Sequence, residues 1–452
     1  MFTLGDRGTA SSVDGGLTVH NFICCAQGSE VLDLEPCPED LRTLQNTVGH
    51  FALHQKTSSE VHLLARDLLG VNKLFYAVGE EGVPASSNFW IELLRRGHAP
   101  DSVWSVPSGH FCAFRPGSGS PSIQRYASLQ FGEDHRVSEQ DMGSYVGRIQ
   151  ARLHSVFENI RRWSANRRIY VSLSGGLDST GIAVLAREYL EEFTAVAFAV
   201  KDGSHDHRTL SEDLITARRV AEELGVRFQA VLVSREQVLE SIDVALMYGQ
   251  DWREFNVHCA LVNAAIGRAI RDDCAFLPLT APPLLLTGDV MNEVTADYAP
   301  VQYKGVQYYS LPRLSAGQLR RVLVAGLDSG DREVGIMKYF GVDTIQPYAL
   351  CADLYAALPA SLLVKAHAKQ DLARKVFGGR IPDYVYARLK TRAQEGSPGR
   401  ATGTLAVCID GGIDSEWLKR RFGELYGIEP AQLQRFIRGG YYRFDAAARR
   451  AK

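Results

Sequence analysis

Ser172-Leu173-Ser174-Gly175-Gly176-Leu177-Asp178-Ser179-Thr180 is the stretch on which the fold turns. A strand-like run, Ile169 to Leu173, leads into it, and helix-forming residues follow from Asp178. The two glycines permit a tight turn and a close approach of the backbone to a ligand. Backbone N–H groups at the start of that helix, with the hydroxyls of Ser174, Ser179 and Thr180, make a cradle for a phosphate group. Asp178 acting alone repels a phosphate. The sequence therefore predicts Mg²⁺ between them, because this ion takes one or two carboxylates together with phosphate oxygens. No GxxxxGK[ST] occurs, which argues against P-loop NTPase chemistry, and the missing GxGxxG argues against nicotinamide chemistry.

Working outward, strands and helices alternate: Ile169 to Leu173 (strand), Gly181 to Glu191 (helix), Thr194 to Val200 (strand), Leu210 to Leu224 (helix) and Phe228 to Val233 (strand). That alternation predicts an α/β domain with a parallel sheet. A long amphipathic helix precedes it, starting at Ser138 and carrying Tyr145, Ile149, Leu153, Val156 and Ile160 at helical spacing. Beyond Val233 the pattern reads as mainly helical to about residue 380, broken by the apolar run Pro282 to Thr287. Upstream, Leu17 to Cys25, Val61 to Ala65, Leu74 to Val78 and His110 to Phe114 read as strands separated by turns, with Pro116 to Ser122 as a hairpin loop. The expected division is a β-rich sandwich over 1–135 and an α/β-to-helical domain over 136–452.

The 452 residues are 45% hydrophobic and 23% charged, with 50 basic and 52 acidic side chains and a net charge of -2. This balance excludes a disordered chain and gives no electrostatic reason to bind nucleic acid or an anionic membrane. Eight cysteines are scattered without CxxC pairs or zinc-ligand spacing, as in a reduced, cytoplasmic protein. No stretch approaches the length of a membrane span.

Ser174-Gly175-Gly176-Leu177-Asp178-Ser179 resembles the pyrophosphate loop of the N-type ATP pyrophosphatases, which cleave ATP between the α and β phosphates. The N-terminal part narrows the resemblance to the asparagine synthetase and β-lactam synthetase branch. Val61 to Tyr76 is similar to that branch's LARDxxGxxPLYY, Ser86-Ser87-Asn88 to its FASE, and Val106 to His110 to its PPGH turn. Leu286 to Glu293 resembles LTGEGADE, Tyr339 to Tyr348 resembles GxExRxPFLD, Lys369 to Leu372 stands where the branch has KxxLR, and Arg388-Leu389-Lys390 where it has RxK. The resemblance implies an Ntn-hydrolase-like sandwich followed by a PP-loop ATP pyrophosphatase domain. It also implies an AMP- and pyrophosphate-forming amide synthetase, with ATP and Mg²⁺ as cofactors, a small-molecule or peptide carboxylate and an amine as substrates, no nucleic-acid or membrane partner, and room for a homodimer.

The departures set the expected chemistry. A class II glutamine amidotransferase uses a cysteine at mature position 1, whereas this sequence starts Met1-Phe2-Thr3 and has a shortened glutamine-binding segment. No glutaminase activity is expected, the N-terminal domain is read as degenerate, and Cys24 and Cys25 are read as strand positions. An amine nucleophile already on the substrate is then expected, as in β-lactam synthetases; Leu389 to Ser397 resembles their PKLGVHEGS. A lasso-peptide cyclase, an ammonia-dependent amide synthetase and an inactive scaffold are the alternatives. By this resemblance Lys390 stabilises the acyl-adenylate and the transition state. Asp289 stands after Thr287-Gly288, where those enzymes carry the tyrosine of a Tyr-Glu pair; the acidic partner falls at Asp331 or Glu333, and Asp289 itself is a candidate base. The loop residues Ser174, Gly175, Gly176, Leu177, Asp178 and Ser179, with Gly288, are expected to bind ATP and pyrophosphate, and Asp178 and Asn292 to ligate the metal. Arg253 and His258 are candidates for reading a substrate carboxylate.

Overall fold

A computed structural model describes residues 44–433 apart from 46, 57–59, 80–81, 116–119, 133–137, 165, 202–210, 296–300, 310–330, 365–366, 389–395 and 398–400, together with backbone segments 10–11, 18–20, 23–25, 437–438 and 441–442.

The element that carries the decisive loop is a five-stranded parallel sheet. Its strands are β1 (Ile169–Ser172), β2 (Thr194–Val200), β3 (Arg227–Val233), β4 (Leu284–Leu286) and β5 (Asp343–Ile345), in the order β3-β2-β1-β4-β5. The order reverses between β1 and β4, and in an open α/β sheet the carboxyl ends of strands at such a reversal form the binding crevice. β2 is buried along its whole length. Its alternate residues explain why: Ala195, Ala197 and Ala199 pack into one apolar cluster, and Val196, Phe198 and Val200 into the other. A strand covered on both faces reads as a continuous apolar run.

One face is covered by α1 (Glu139–Trp163) and α2 (Leu177–Tyr189), whose Ile149, Leu153, Phe157, Ile182 and Leu185 join the first cluster. The N-terminus of α1 is set by Ser138, whose hydroxyl accepts from the Asp141 N–H at 3.1 Å. α3 (Glu212–Leu224) ends at Gly225 with φ +66°. The other face is covered by α4 (Glu254–Cys274) and α6 (Val334–Tyr339), through Val257, Leu261, Ile266, Ile336 and Met337. Two further helices carry residues of the site, α5 (Met291–Thr295) and α7 (Ala368–Phe377).

The larger antiparallel sheets lie within residues 10–125. A six-stranded sheet contains 52–56, 62–66, 110–114 and 122–125, and a three-stranded sheet orders 84–87, 75–78 and 103–105. The two sheets pack through Ala52, Leu64, Tyr76, Cys112 and Phe114, while Leu53, Leu63, Ala65, Phe111 and Ala113 fill the opposite face. This is the expected sandwich. Its apolar surface continues into the parallel-sheet clusters through Leu69, Val71, Phe75, Phe89 and Trp90. Gln250 ties the two parts together, accepting from the Trp90 N–H at 2.8 Å and donating to the Asn88 carbonyl at 3.1 Å.

One expectation is corrected. Leu17 to Cys25 is not one strand: 18–20 joins the six-stranded sheet, while 23–25 pairs with 47–49. After Val233 the expected break at Pro282 to Thr287 holds β4, and two further pieces of sheet join it: β5 completes the parallel sheet, and a hairpin pairs 301–303 with 306–308. No helix among the described residues is long and apolar enough to cross a membrane.

Candidate active site

The loop after β1 is closed by its own hydroxyls. The Ser174 N–H donates to Ser179 Oγ at 3.2 Å, the two serine oxygens lie 3.1 Å apart, Ser179 Oγ donates to the Gly176 carbonyl at 3.1 Å, and the Gly176 N–H donates to Ser174 Oγ at 3.3 Å. Gly175 has φ +70°, and a Cβ there would lie 2.7 Å from Thr216 Cβ in α3. A side chain is excluded by both conformation and space. α2 then begins at Leu177, with Asp178 in its first turn, where a carboxylate suits the positive end of the helix.

The loop after β4 lies directly against this turn. A Cβ on Gly288 would meet the Ser179 nitrogen at 2.7 Å and the Asp178 carbonyl carbon at 2.8 Å, so the backbones of the two loops touch. Gly288 is thereby placed against the loop after β1. Asp289 follows, and Val290 after it holds φ +83°, an outlier for a β-branched residue. Such strain costs about 1–3 kcal/mol and concentrates at functional sites.

Asp289 keeps part of its surface exposed, yet burial of the carboxyl pushes its pKa up to about 7. The Glu333 carboxylate adds to the push and Glu293 contributes further, while Thr287 and the Arg332 guanidinium oppose them. Arg332 organises the group. Its Nε donates to Glu333 at 2.5 Å, Nη2 to Glu293 at 3.0 Å and Nη1 to the Asn256 side-chain carbonyl at 2.8 Å, and it lies 4.9 Å over the Phe255 ring. Asn256 in turn donates to Asp251 at 2.6 Å. A polar network thus runs from α4 to the Asp289 loop, and Arg332 at its centre was not singled out from the sequence.

The remaining candidates separate. Of the two proposed acidic partners, Glu333 belongs to this network. Asp331 does not: it is 5% exposed and accepts from the Gly335 N–H at 2.7 Å, which fixes the start of α6. Burial pushes the Asp331 carboxyl up to about 6, with Lys73 pulling it back. Arg253 is engaged with its neighbour Asp251, Nε lying 2.9 Å from Oδ2. His258 sits on α4 with Nδ1 hydrogen-bonded to the Tyr309 hydroxyl, and burial pushes its pKa down to about 3. It is therefore a neutral imidazole and offers no charge to a carboxylate. Lys390 and the β-lactam synthetase-like stretch Leu389 to Gln394 lie outside the described residues, as do Met1 to Thr3.

Asp178 and Asn292 do come together, but across a cation supplied by the protein. Lys369 Nζ lies 2.7 Å from Asp178 Oδ2 and 3.0 Å from Asn292 Oδ1. Both candidate metal ligands, one carboxylate and one neutral amide, thus accept from the same ammonium. Among the described residues no cluster of three His, Cys, Asp or Glu side chains offers a metal site. A second contact across the chain is Arg388, which donates to the Ser174 carbonyl at 3.1 Å and pairs with Asp213 at the start of α3.

Residues 159–322 match the sequence model of the asparagine synthase family. The decisive loop, β1 to β4 and Asp289 all fall within that span. Among curated relatives, the glutamine-hydrolysing asparagine synthetase of Homo sapiens is 24% identical over 271 residues, covering 54% of this chain and 44% of that protein. That of Gallus gallus is 23% identical over 259 residues, with the same coverage. The chain thus spans less than half the length of the curated relatives it matches. Among solved structures, NMN synthetase from Francisella tularensis aligns with 65% of this chain and 94% of its own, at 12% identity and a TM-score of 0.30.

Proposed function

We propose that this chain, which matches the asparagine synthase model over residues 159–322, is an ATP-dependent ligase that forms a C–N bond with release of AMP and pyrophosphate. The observation that carries this reading is the contact of Gly288 with the first turn of α2, which sets a carboxyl of raised pKa, Asp289, next to a phosphate-type loop. In the first half-reaction an oxygen of the substrate carboxylate bonds to the α-phosphorus of ATP and the α–β bridging bond breaks. Pyrophosphate leaves into the cradle of Ser174, Gly175, Gly176, Leu177, Asp178 and Ser179, whose backbone N–H groups receive its charge. In the second, an amine nitrogen attacks the acyl carbon, AMP departs and Asp289 accepts the amine proton. A base with a pKa near 7 is matched to that task. Arg332 holds Glu333 and Glu293 in place beside Asp289, while its own charge offsets part of their upward push on the Asp289 carboxyl.

Lys390 is the proposed cation for the acyl-adenylate. Arg388, two positions earlier, touches the loop through the Ser174 carbonyl, which supports this role. The finer reading is a β-lactam synthetase-like reaction on a small-molecule carboxylate; a peptide macrolactam cyclase or an ammonia-dependent synthetase would share the first half-reaction and differ in the amine. Incubation with ATP, a panel of carboxylic acids and hydroxylamine tests the reading. AMP, pyrophosphate and an acyl hydroxamate are expected in equal amounts; ADP and phosphate would overturn it.

A further inference from the structure

The antiparallel sandwich grips the rest of the chain at one corner, Tyr248 to Asp251, between the helix Ile242–Gly249 and α4. Gln250 Oε1 accepts from the Trp90 N–H at 2.8 Å and its Nε2 donates to the Asn88 carbonyl at 3.1 Å. Beside it, Arg95 Nη1 donates to the Tyr248 hydroxyl at 3.1 Å, and the Phe89 and Tyr248 rings meet edge to face at 5.0 Å. Gln250 is fully buried and holds φ +54°, a left-handed backbone that is uncommon for a residue with a side chain. Such a conformation persists where the surroundings over-determine it.

The other side of the corner meets the site. The Gly249 carbonyl accepts from the Asp331 N–H at 2.7 Å, and a Cβ on Gly335 would lie 2.7 Å from the Tyr248 carbonyl. The corner and the turn that carries Asp331, Arg332 and Glu333 are therefore packed backbone to backbone. A second path starts one residue after Gln250: Asp251 accepts from Asn256 at 2.6 Å, and Asn256 accepts from Arg332 at 2.8 Å. Arg332 in turn holds Glu333 and Glu293. The side chain of Gln250 thus bonds the sandwich, while its two chain neighbours bond the groups that surround Asp289.

We propose that Gln250 is a positioning residue for the proposed base, through which the sandwich fixes Arg332 and Glu333 against Asp289. The sandwich then has a task in amide formation itself. The inference rests on the reading above that Asp289 is the base.

The proton affinity of Asp289 is read without substrate, from denaturant midpoints of the full chain against those of its Asp289→Asn variant across about pH 4 to 8. Of the charged groups that act on Asp289, Glu333 and Glu293 push its pKa up and Arg332 pulls it down, with Glu333 the strongest. Gln250→Gly keeps the left-handed backbone and removes both side-chain bonds. Loosening the turn releases Asp289 chiefly from Glu333, so the pH at which the difference levels off should fall by about half a unit or more from its wild-type value near 7. Gln250→Asn, which also accepts this backbone and whose amide is one carbon short of both partners, should show the same fall and serves if the glycine variant does not fold. In a Glu333→Gln background neither change should move the value further, because the group through which Gln250 acts is gone. Tyr248→Phe is the control: it removes the Arg95 bond at the same interface, and should lower both midpoints and leave their difference unchanged. A Gln250 that only packs the interface would behave like this control. An unmoved or raised value in the Gln250 variants, or an equal fall in the Glu333→Gln background, overturns this inference and leaves the proposed function standing. A wild-type chain that differs from Asp289→Asn by the same amount at every pH overturns the reading of Asp289 as the base, and this inference with it.

Discussion

At the scale of single residues, Asp289 carries the most specific expectations. As the proposed base it must be ionised, so kcat should rise with pH through a single ionisation near 7 and level off above it. Asp289→Asn should lower kcat by about 10²–10⁴-fold with little change in the KM for ATP. A loss confined to KM would assign Asp289 to binding instead. The same residue has a stability signature of defined sign. Its folded-state pKa is raised, so below 3.8 the carboxyl is protonated in both folded and unfolded chains, and between 3.8 and about 7 the unfolded chain ionises first. The contribution of Asp289 to stability therefore falls across that window. Asp289→Asn should match wild type below pH 4 and be the more stable protein at pH 8, as measured by denaturant midpoints. Arg332→Gln acts oppositely on the profile. Removing a cation that lowers the Asp289 pKa should move the acid limb of kcat to higher pH, and freeing Glu293 and Glu333 of their partner should cost on the order of 3 kcal/mol.

Among the elements, the contact between the loops after β1 and β4 is the feature to break. Gly288→Ala forces a Cβ against the Ser179 nitrogen and should abolish pyrophosphate binding. Gly176→Ala is the control in the same loop: its φ is -81° and the nearest atom to a new Cβ is Ser174 Oγ at 3.3 Å, so the variant should fold and bind within a few-fold of wild type. Equal loss in both variants would contradict the geometry. These elements also show where sequence reading stops. The loop, α2, β2 and α3 were legible because an apolar run, a glycine pair and helical periodicity lie together within a few dozen residues. β4 and β5 have three residues each and too little length for a period to show. Asp178, Asn292, Asp289 and Glu333 could be named as chemical groups, but the Lys369 and Arg332 contacts that define their states join positions distant in sequence, and no spacing rule reports them. Asp331 and Glu333 look interchangeable in sequence; only the burial of Asp331 under α6 separates a structural carboxyl from one that faces Asp289.

For the whole molecule, the antiparallel sandwich and the parallel sheet share apolar clusters, with Trp90 2% exposed and its ring 5.0 Å from that of Tyr426. Trp90→Ala should cost about 3–5 kcal/mol and should destabilise both parts together, seen as one cooperative denaturant transition in wild type and variant. Two separated transitions would show that the sandwich folds independently. The near-neutral chain, with a net charge of -2, suits a small or peptide substrate better than a nucleic acid, and its ordinary composition carries no trace of the site. Everything specific comes from the place where the sheet order reverses between β1 and β4. The most direct measurement of that claim is exchange of labelled pyrophosphate into ATP in the presence of a carboxylic acid. The account predicts exchange that depends on the acid, is lost in Gly288→Ala and survives in Asp289→Asn, because adenylation precedes the proton transfer. Exchange that persists in Gly288→Ala, or that is absent with every acid while ADP accumulates, would contradict it.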